Sequence, residues 1–462
     1  MIAARLRPAA FGMACVLGAV GAAVAQPVAP VAIRNARIVP VSGPTIAAGT
    51  IVLADGLIKA VGTRVDVPPE AVVIDGTGLT VYPGFIDAFS DIGLATSTPA
   101  AGPASGGGPP APRPSSRVVR GPADRPGSTP WVQAADEFRL DDRKVETWRN
   151  GGVTTVVAAP KGGIFPGQAA VVNLGGERRE DAIVRSAAAL PIVLTPPAGG
   201  ATFPGSLMGV YAYVRQVFLD TRHSSDLTRR YEENPRGRQR PDHDRTVQAL
   251  QRTLQARTPV LMPATSATQI DRVLAFAREI DVPVVVYGVH DGAAAASRLA
   301  RAKVPVLVSA HWPEKPKDAD PDADETLKVL ALRDRAPSAP AALAEQKVPF
   351  AFYSDGLAGP KEFLGNVRKA VAAGLSADAA LRALTLQAAA VYDVDDRLGS
   401  LETGKIANVI VVQGDILADK SVVKHVFVDG RRFDVPADAG AAPGGNTTAG
   451  RGAGRPGSGD RR

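Results

Sequence analysis

A single cysteine, Cys15, serves all 462 residues, which excludes an internal disulfide framework. Histidine is scarce too, with five in the whole chain, so a site built from imidazoles has few candidates. Charge is thin: 21% of residues are Asp, Glu, Lys or Arg, with a formal balance of +7. Arg5 and Arg7 in an N-terminal leader account for +2 of this. Arg451, Arg455, Arg461 and Arg462, against Asp438 and Asp460, account for another +2 beyond Val435. The +3 left on the body is too small and too dispersed to argue for nucleic acid as a partner. A membrane span is missing as well, because the apolar run over residues 9–24 falls short of the roughly 20 residues that cross a bilayer. With its basic start and Ala23-Val24-Ala25 ahead of Gln26, that run reads as a secretory signal peptide over residues 1–25. Cys15 lies inside it behind Gly12-Met13-Ala14, a poor lipoprotein box, so the mature chain would hold no cysteine. An exported chain without disulfides or a remaining span fits a bacterial periplasm.

What is present is apolar residue, 45% of the chain, enough for a barrel-sized core plus a smaller unit. Short strand patterns occupy residues 32–39, 49–53 and 57–61, with Asp55-Gly56 as a hairpin turn between the last two. Three short strands cannot close a core alone. Matching patterns recur far away, at 408–412 and 422–428, so residues 26–80 and 399–435 are expected to form one composite β-sandwich from both chain ends. Between them, over 81–398, short apolar runs at 152–160, 191–195, 260–262, 282–287, 304–310 and 348–353 alternate with helical stretches. That alternation predicts an α/β fold with a parallel sheet, and enough units for a (β/α)8 barrel. The helical stretches include 208–218 and 245–256, flanking an arginine-rich insertion, and a helix capped by Ser376 that runs to Ala390. Residues 97–129, dominated by Gly, Pro, Ser and Ala, read as a flexible loop over the barrel mouth, and 436–462 as a disordered tail.

The chain is organised around Val81-Tyr82-Pro83-Gly84-Phe85-Ile86-Asp87-Ala88-Phe89-Ser90-Asp91. A Pro-Gly turn, an apolar stretch and a polar end read as the first inner strand of such a barrel, with Phe89 and Asp91 aimed together into its mouth. The stretch resembles the signature of the amidohydrolase superfamily, Pro-Gly-Phe-Ile-Asp-Ala followed by His-x-His, with Phe89 and Asp91 where the histidines belong. The phrase Leu398-Gly399-Ser400-Leu401-Glu402-Thr403-Gly404-Lys405-Ile406-Ala407-Asn408 is similar to the approach to that family's second domain. The chain is thus identified with the imidazolonepropionase-like, periplasmic type, which implies a TIM-type barrel and a hydrolase acting on carbon–nitrogen bonds other than peptide bonds. The resemblance also implies one or two divalent metals at the strand ends, activating a water.

Against that implied ligand set the site is eroded. Phe89, Pro263 and Tyr287 occupy three donor positions, and no lysine or glutamate ends the 191–195 run. Asp355, in Phe352-Tyr353-Ser354-Asp355-Gly356, stands where the family's aspartate serves as ligand and general base. His223 and His243 in the insertion and His425 on a C-terminal strand read as exposed or structural, because a mouth-facing ligand must sit at a strand end. His290, just past a strand, and His311, ending the next, are better placed, so Asp91, His290, His311 and Asp355 form a candidate rearranged site for one weakly bound zinc. The expectation set against it is a chain with no bound metal. That chain would be an inactive barrel that holds a small-molecule ligand or pairs with an active homologous amidohydrolase subunit.

Overall fold

The computed structural model describes residues 29–95, 125–196, 203–315, 320, 324–418 and 420–436. The segment expected to be a signal peptide, most of the 97–129 stretch and the tail beyond Pro436 lie outside the described residues.

Two sheets carry the architecture. The first contains β1 (Val31–Ile38), β2 (Ile46–Ala54), β3 (Leu57–Gly62), β4 (Val72–Asp75), β5 (Leu79–Pro83), β14 (Val409–Gln413), β15 (Val422–Val428) and β16 (Arg431–Asp434). Its order is β16-β15-β14-β5-β1-β2-β3, with β4 on β1. Strands from both chain ends therefore share one hydrogen-bonded sheet, where two facing sheets were expected. Asp55 and Gly56, at φ 52° and 76°, make the tight turn that joins β2 to β3. The buried face of this sheet gathers Ile33, Ile38, Ile51, Leu53, Val81, Val411 and Phe427 into one cluster.

The second sheet holds β6 (Phe85–Ser90), β7 (Val153–Ala158), β8 (Ala169–Asn173), β9 (Ile183–Pro191), β10 (Val260–Pro263), β11 (Val284–Tyr287), β12 (Val306–Ser309) and β13 (Phe350–Tyr353), in chain order. Alternate residues face two ways. Val260, Met262, Val306, Val308, Phe350 and Phe352 pack with the flanking helices, while Leu261, Val285, Leu307 and Ala351 form a separate inner cluster. Burial on both faces explains why these strands read as continuous apolar runs. Each inner Leu or Val contributes roughly 1.5–3 kcal/mol by leaving water. The result is a TIM-barrel-like α/β fold with a second domain.

Three features differ from the expected regular barrel. β8 runs antiparallel to both β7 and β9, so a hairpin stands where a strand–helix–strand unit was expected. Among the described residues no ladder joins β13 to β6. Instead the Ser354 N–H donates to Asp87 Oδ1 at 2.9 Å across that seam. The expected first strand over 81–91 is also divided: Leu79–Pro83 belongs to the outer sheet and Phe85–Ser90 to the inner one. Gly84 makes the joint. A Cβ there would meet Thr154 Oγ1 at 2.1 Å, so only a residue without a side chain lets the two sheets approach.

The helix read as 208–218 runs on as Leu207–Glu233, through much of the supposed insertion. Ser376 does cap a helix, Ala377–Leu384, but Thr385 breaks it before Leu386–Val391. At the far end of the Gly-Pro stretch, Arg125 is pinned by Asp220 at 2.6 Å and Asp244 at 3.1 Å, and Ser128 Oγ lies 2.8 Å from the Tyr213 hydroxyl.

Candidate functional site

Parallel strands β6, β7 and β9 to β13 deliver their C-terminal ends to one mouth, where a site on this fold is built. Phe89, near the end of β6, stacks at 4.9 Å on Tyr287, the last residue of β11, and at 5.6 Å edge-on to Tyr353, the last residue of β13. Tyr287 and Tyr353 are themselves 6.4 Å apart, edge to face. Phe89 and Tyr287 remain partly exposed, while Tyr353 is buried. The Tyr287 hydroxyl donates to the Ile192 carbonyl at 3.2 Å. Burial, with the Asp355 charge adding to it, pushes both tyrosine hydroxyls well above their usual pKa. Pro263 lies beside Tyr287 in the β10–β11 register, its ring without a donor atom.

Of the four candidate ligands, three are brought together. Ser309 Oγ, at the end of β12, donates to Asp355 Oδ2 at 2.9 Å, and its oxygen accepts the His311 N–H at 3.1 Å. His311 Nδ1 lies 3.3 Å from the Asp355 carbonyl. Asp355 and Gly356 both take positive φ, 50° and 78°, a turn that Asp tolerates and that lifts the carboxylate to the rim. His290 is tucked beneath them: burial lowers its pKa first, with Asp355 opposing, and its Nε2 is buried without a hydrogen-bond partner. Asp91 does not join this group. It forms an ion pair with Lys161 at 3.2 Å, just past the end of β7. Lys161 and Ser309 are the two residues that sequence reading missed. Ser309 ends β12 and Lys161 follows the end of β7 by three residues, and that placement was the available signal. His223 and His243 are exposed, and His425 sits half-buried on β15 beside Asp434.

A matching model of the amidohydrolase family covers residues 201–433, half of the chain. The chain belongs to the amidohydrolase family. Comparison with curated protein sequences gives no match. Among solved structures, an amidohydrolase from Thermotoga maritima MSB8 is similar over 87% of this chain and 100% of its own, at 24% identity and a TM-score of 0.71. A second amidohydrolase (17% identity, 88% and 99% covered, TM-score 0.52) resembles it more loosely. So does a prolidase solved with N-methylphosphonate-L-proline (16%, 88% and 99%, 0.51). At these identities the likeness is one of fold.

The residues present do not fit the metal pair that the family implies. Phe89 and Pro263 offer no donor, and Tyr287 has its hydroxyl committed to Ile192. Among the described residues no three His, Cys, Asp or Glu side chains are arranged to hold a metal ion.

Proposed function

We propose that this amidohydrolase-family protein is a metal-free barrel that binds a small molecule at its strand-end mouth. On this reading it has given up the metal-assisted hydrolysis of carbon–nitrogen, non-peptide bonds for which its family is named. The observation that carries the reading is the ring cluster in which Phe89 and Tyr287, at two of the ligand positions, close on one another and on Tyr353. An apolar ring is a poor neighbour for a desolvated dication, whose charge would go uncompensated there. Protein purified without added metal is expected to carry well under one equivalent of zinc by elemental analysis. Stoichiometric zinc would defeat the proposal. The same barrel could serve as partner of an active homologue, which co-purification of a second amidohydrolase would reveal.

A second reading is favoured by the buried, unpartnered His290 Nε2. It is a hydrolase with one weakly held zinc, for which His290, His311 and Asp355 would have to draw closer together than they stand here, and it requires that bound zinc vanish in His290→Ala or His311→Ala. We place the protein in the periplasm, after removal of residues 1–25. Intact mass of the periplasmic fraction should give an N-terminus at Gln26, and a full-length chain in the membrane fraction would contradict it. Among the described residues no helix is long and apolar enough to cross a membrane.

A further inference from the structure

We infer that the mouth takes a small organic cation, such as a substituted ammonium, seated on the partly exposed rings of Phe89 and Tyr287, with the buried Tyr353 packed edge-on behind them and Asp355 as its counter-charge. The inference rests on the metal-free reading of the same site and names its ligand class. It begins with what the rings have left to offer. Tyr287 has its hydroxyl on the Ile192 carbonyl, and Tyr353 has its hydroxyl bonded to Ser309. What remains toward the mouth is the ring surface of the partly exposed Phe89 and Tyr287, whose faces are electron-rich. Phe89 and Tyr287 are tilted by 42° and the buried Tyr353 stands edge-on to both, so Phe89 and Tyr287 do not hide their faces in one flat stack.

The surrounding charges decide the sign of the ligand. On the β6–β7 side, Asp91 and Lys161 neutralise one another. On the β11–β13 side, Asp355 is exposed and its carboxylate is bonded to the neutral Ser309 hydroxyl. Among the described residues no lysine, arginine or histidine pairs with that carboxylate. It lies two residues beyond Tyr353, the last residue of β13, and is held there by the Ser309 hydroxyl at 2.9 Å. The mouth thus presents one unpaired negative charge beside electron-rich ring faces. An anion would be repelled by both, and a neutral apolar molecule would leave the carboxylate unused. A bare metal ion would have to surrender its water for donors that are not there. An alkylated ammonium loses little hydration and is attracted by rings and carboxylate together.

Titration calorimetry on the full mature chain at pH 8, where free imidazoles are neutral, tests this with choline against 3,3-dimethyl-1-butanol, its uncharged isostere. Choline is expected to bind at least tenfold more tightly. Asp355→Asn keeps an acceptor for Ser309 and suits the positive φ, and should weaken choline at least tenfold while leaving the alcohol within twofold. Phe89→Leu should weaken choline several-fold. Equal affinities for the two probes, an unchanged choline affinity in Asp355→Asn, or no binding of either probe overturns the inference. Equal affinities would leave the binding-barrel reading standing, whereas stoichiometric zinc in the same sample would remove that reading itself.

Discussion

Asp87 holds its carboxyl wholly inside the molecule, with Oδ1 accepting the Ser354 N–H at 2.9 Å and Oδ2 without a partner. Burial pushes its pKa from 3.8 up to about 7, against the opposing hydrogen bonds from Ser354 and Phe89. Between those two values the folded chain keeps a proton that the unfolded chain has released. Stability therefore falls as pH rises through that window. About three pH units at about 1.4 kcal/mol each set a ceiling of ~4 kcal/mol on the effect. Asp87→Asn preserves the acceptor and removes the titration. It is expected to gain on the native protein in urea midpoint as pH goes from 4.5 to 7.5, and to be the more stable at pH 8. A constant difference between the two proteins would rule Asp87 out as the source. Asp355 contrasts with it in burial: exposed and bonded to one hydroxyl, its change to Asn should alter unfolding free energy by no more than about 1 kcal/mol. A larger loss would make it a structural residue and spoil its use as a probe.

At the scale of elements, the joint between β5 and β6 is the most sensitive point. In Gly84→Ala the new methyl would sit 2.1 Å from Thr154 Oγ1 and 2.4 Å from Thr154 Cγ2, both fixed in the core. A cost of about 1–3 kcal/mol is expected, as for other overpacked cores. Thr154→Ala removes those two contacts but leaves Cβ at 2.7 Å, so the double variant should recover only part of the loss. Thermal melts of the single and double variants check this, and a Gly84→Ala protein as stable as the native would show that the sheets can slide apart. The Pro-Gly turn was legible in the sequence, but its partner, Thr154, was not. The outward and inward strands from β10 to β13 were legible because burial on both faces leaves an unbroken apolar run. β8 was not: Ala-Ala-Val-Val-Asn is short, and its hairpin lacks the intervening helix that marks a parallel unit. The long helix was cut short in reading because its second half is polar on all sides. Contacts such as Arg229–Asp226 at 2.8 Å and Gln216–Asp220 at 2.7 Å support it, rather than a buried stripe. At the mouth, the loss of ligands at 89, 263 and 287 was plain from residue identity. The pairing of Asp91 with Lys161, and the closure of the three rings on one another, depended on side-chain directions that spacing does not give.

For the molecule as a whole, the outer sheet ties the chain ends together. Phe427 on β15 shares its core with Ile33, Ile38, Ile51 and Leu53, and Asn408 Nδ2 reaches Thr155 and Asn173 beneath the inner sheet at 3.0 and 2.8 Å. Deleting residues 422–434 should therefore raise amide exchange across β1 to β3 well before it does so in β10 to β13. Unchanged protection in β1 to β3 would show that the N-terminal strands stand alone. The same arrangement has a consequence in time. The Tyr82 hydroxyl meets the Asp415 carboxylate, a partner 333 positions later in the chain. At the ~5–20 residues per second of synthesis, the first five strands wait from roughly 15 s to about a minute before β14 exists to cover β5. Through that interval an apolar strand edge is open to any other chain, so newly made protein depends on something holding it apart until its last strands arrive. Ribosome-bound chains stalled at residue 400 should be cleaved readily within residues 31–83, and chains long enough to expose β16 should resist.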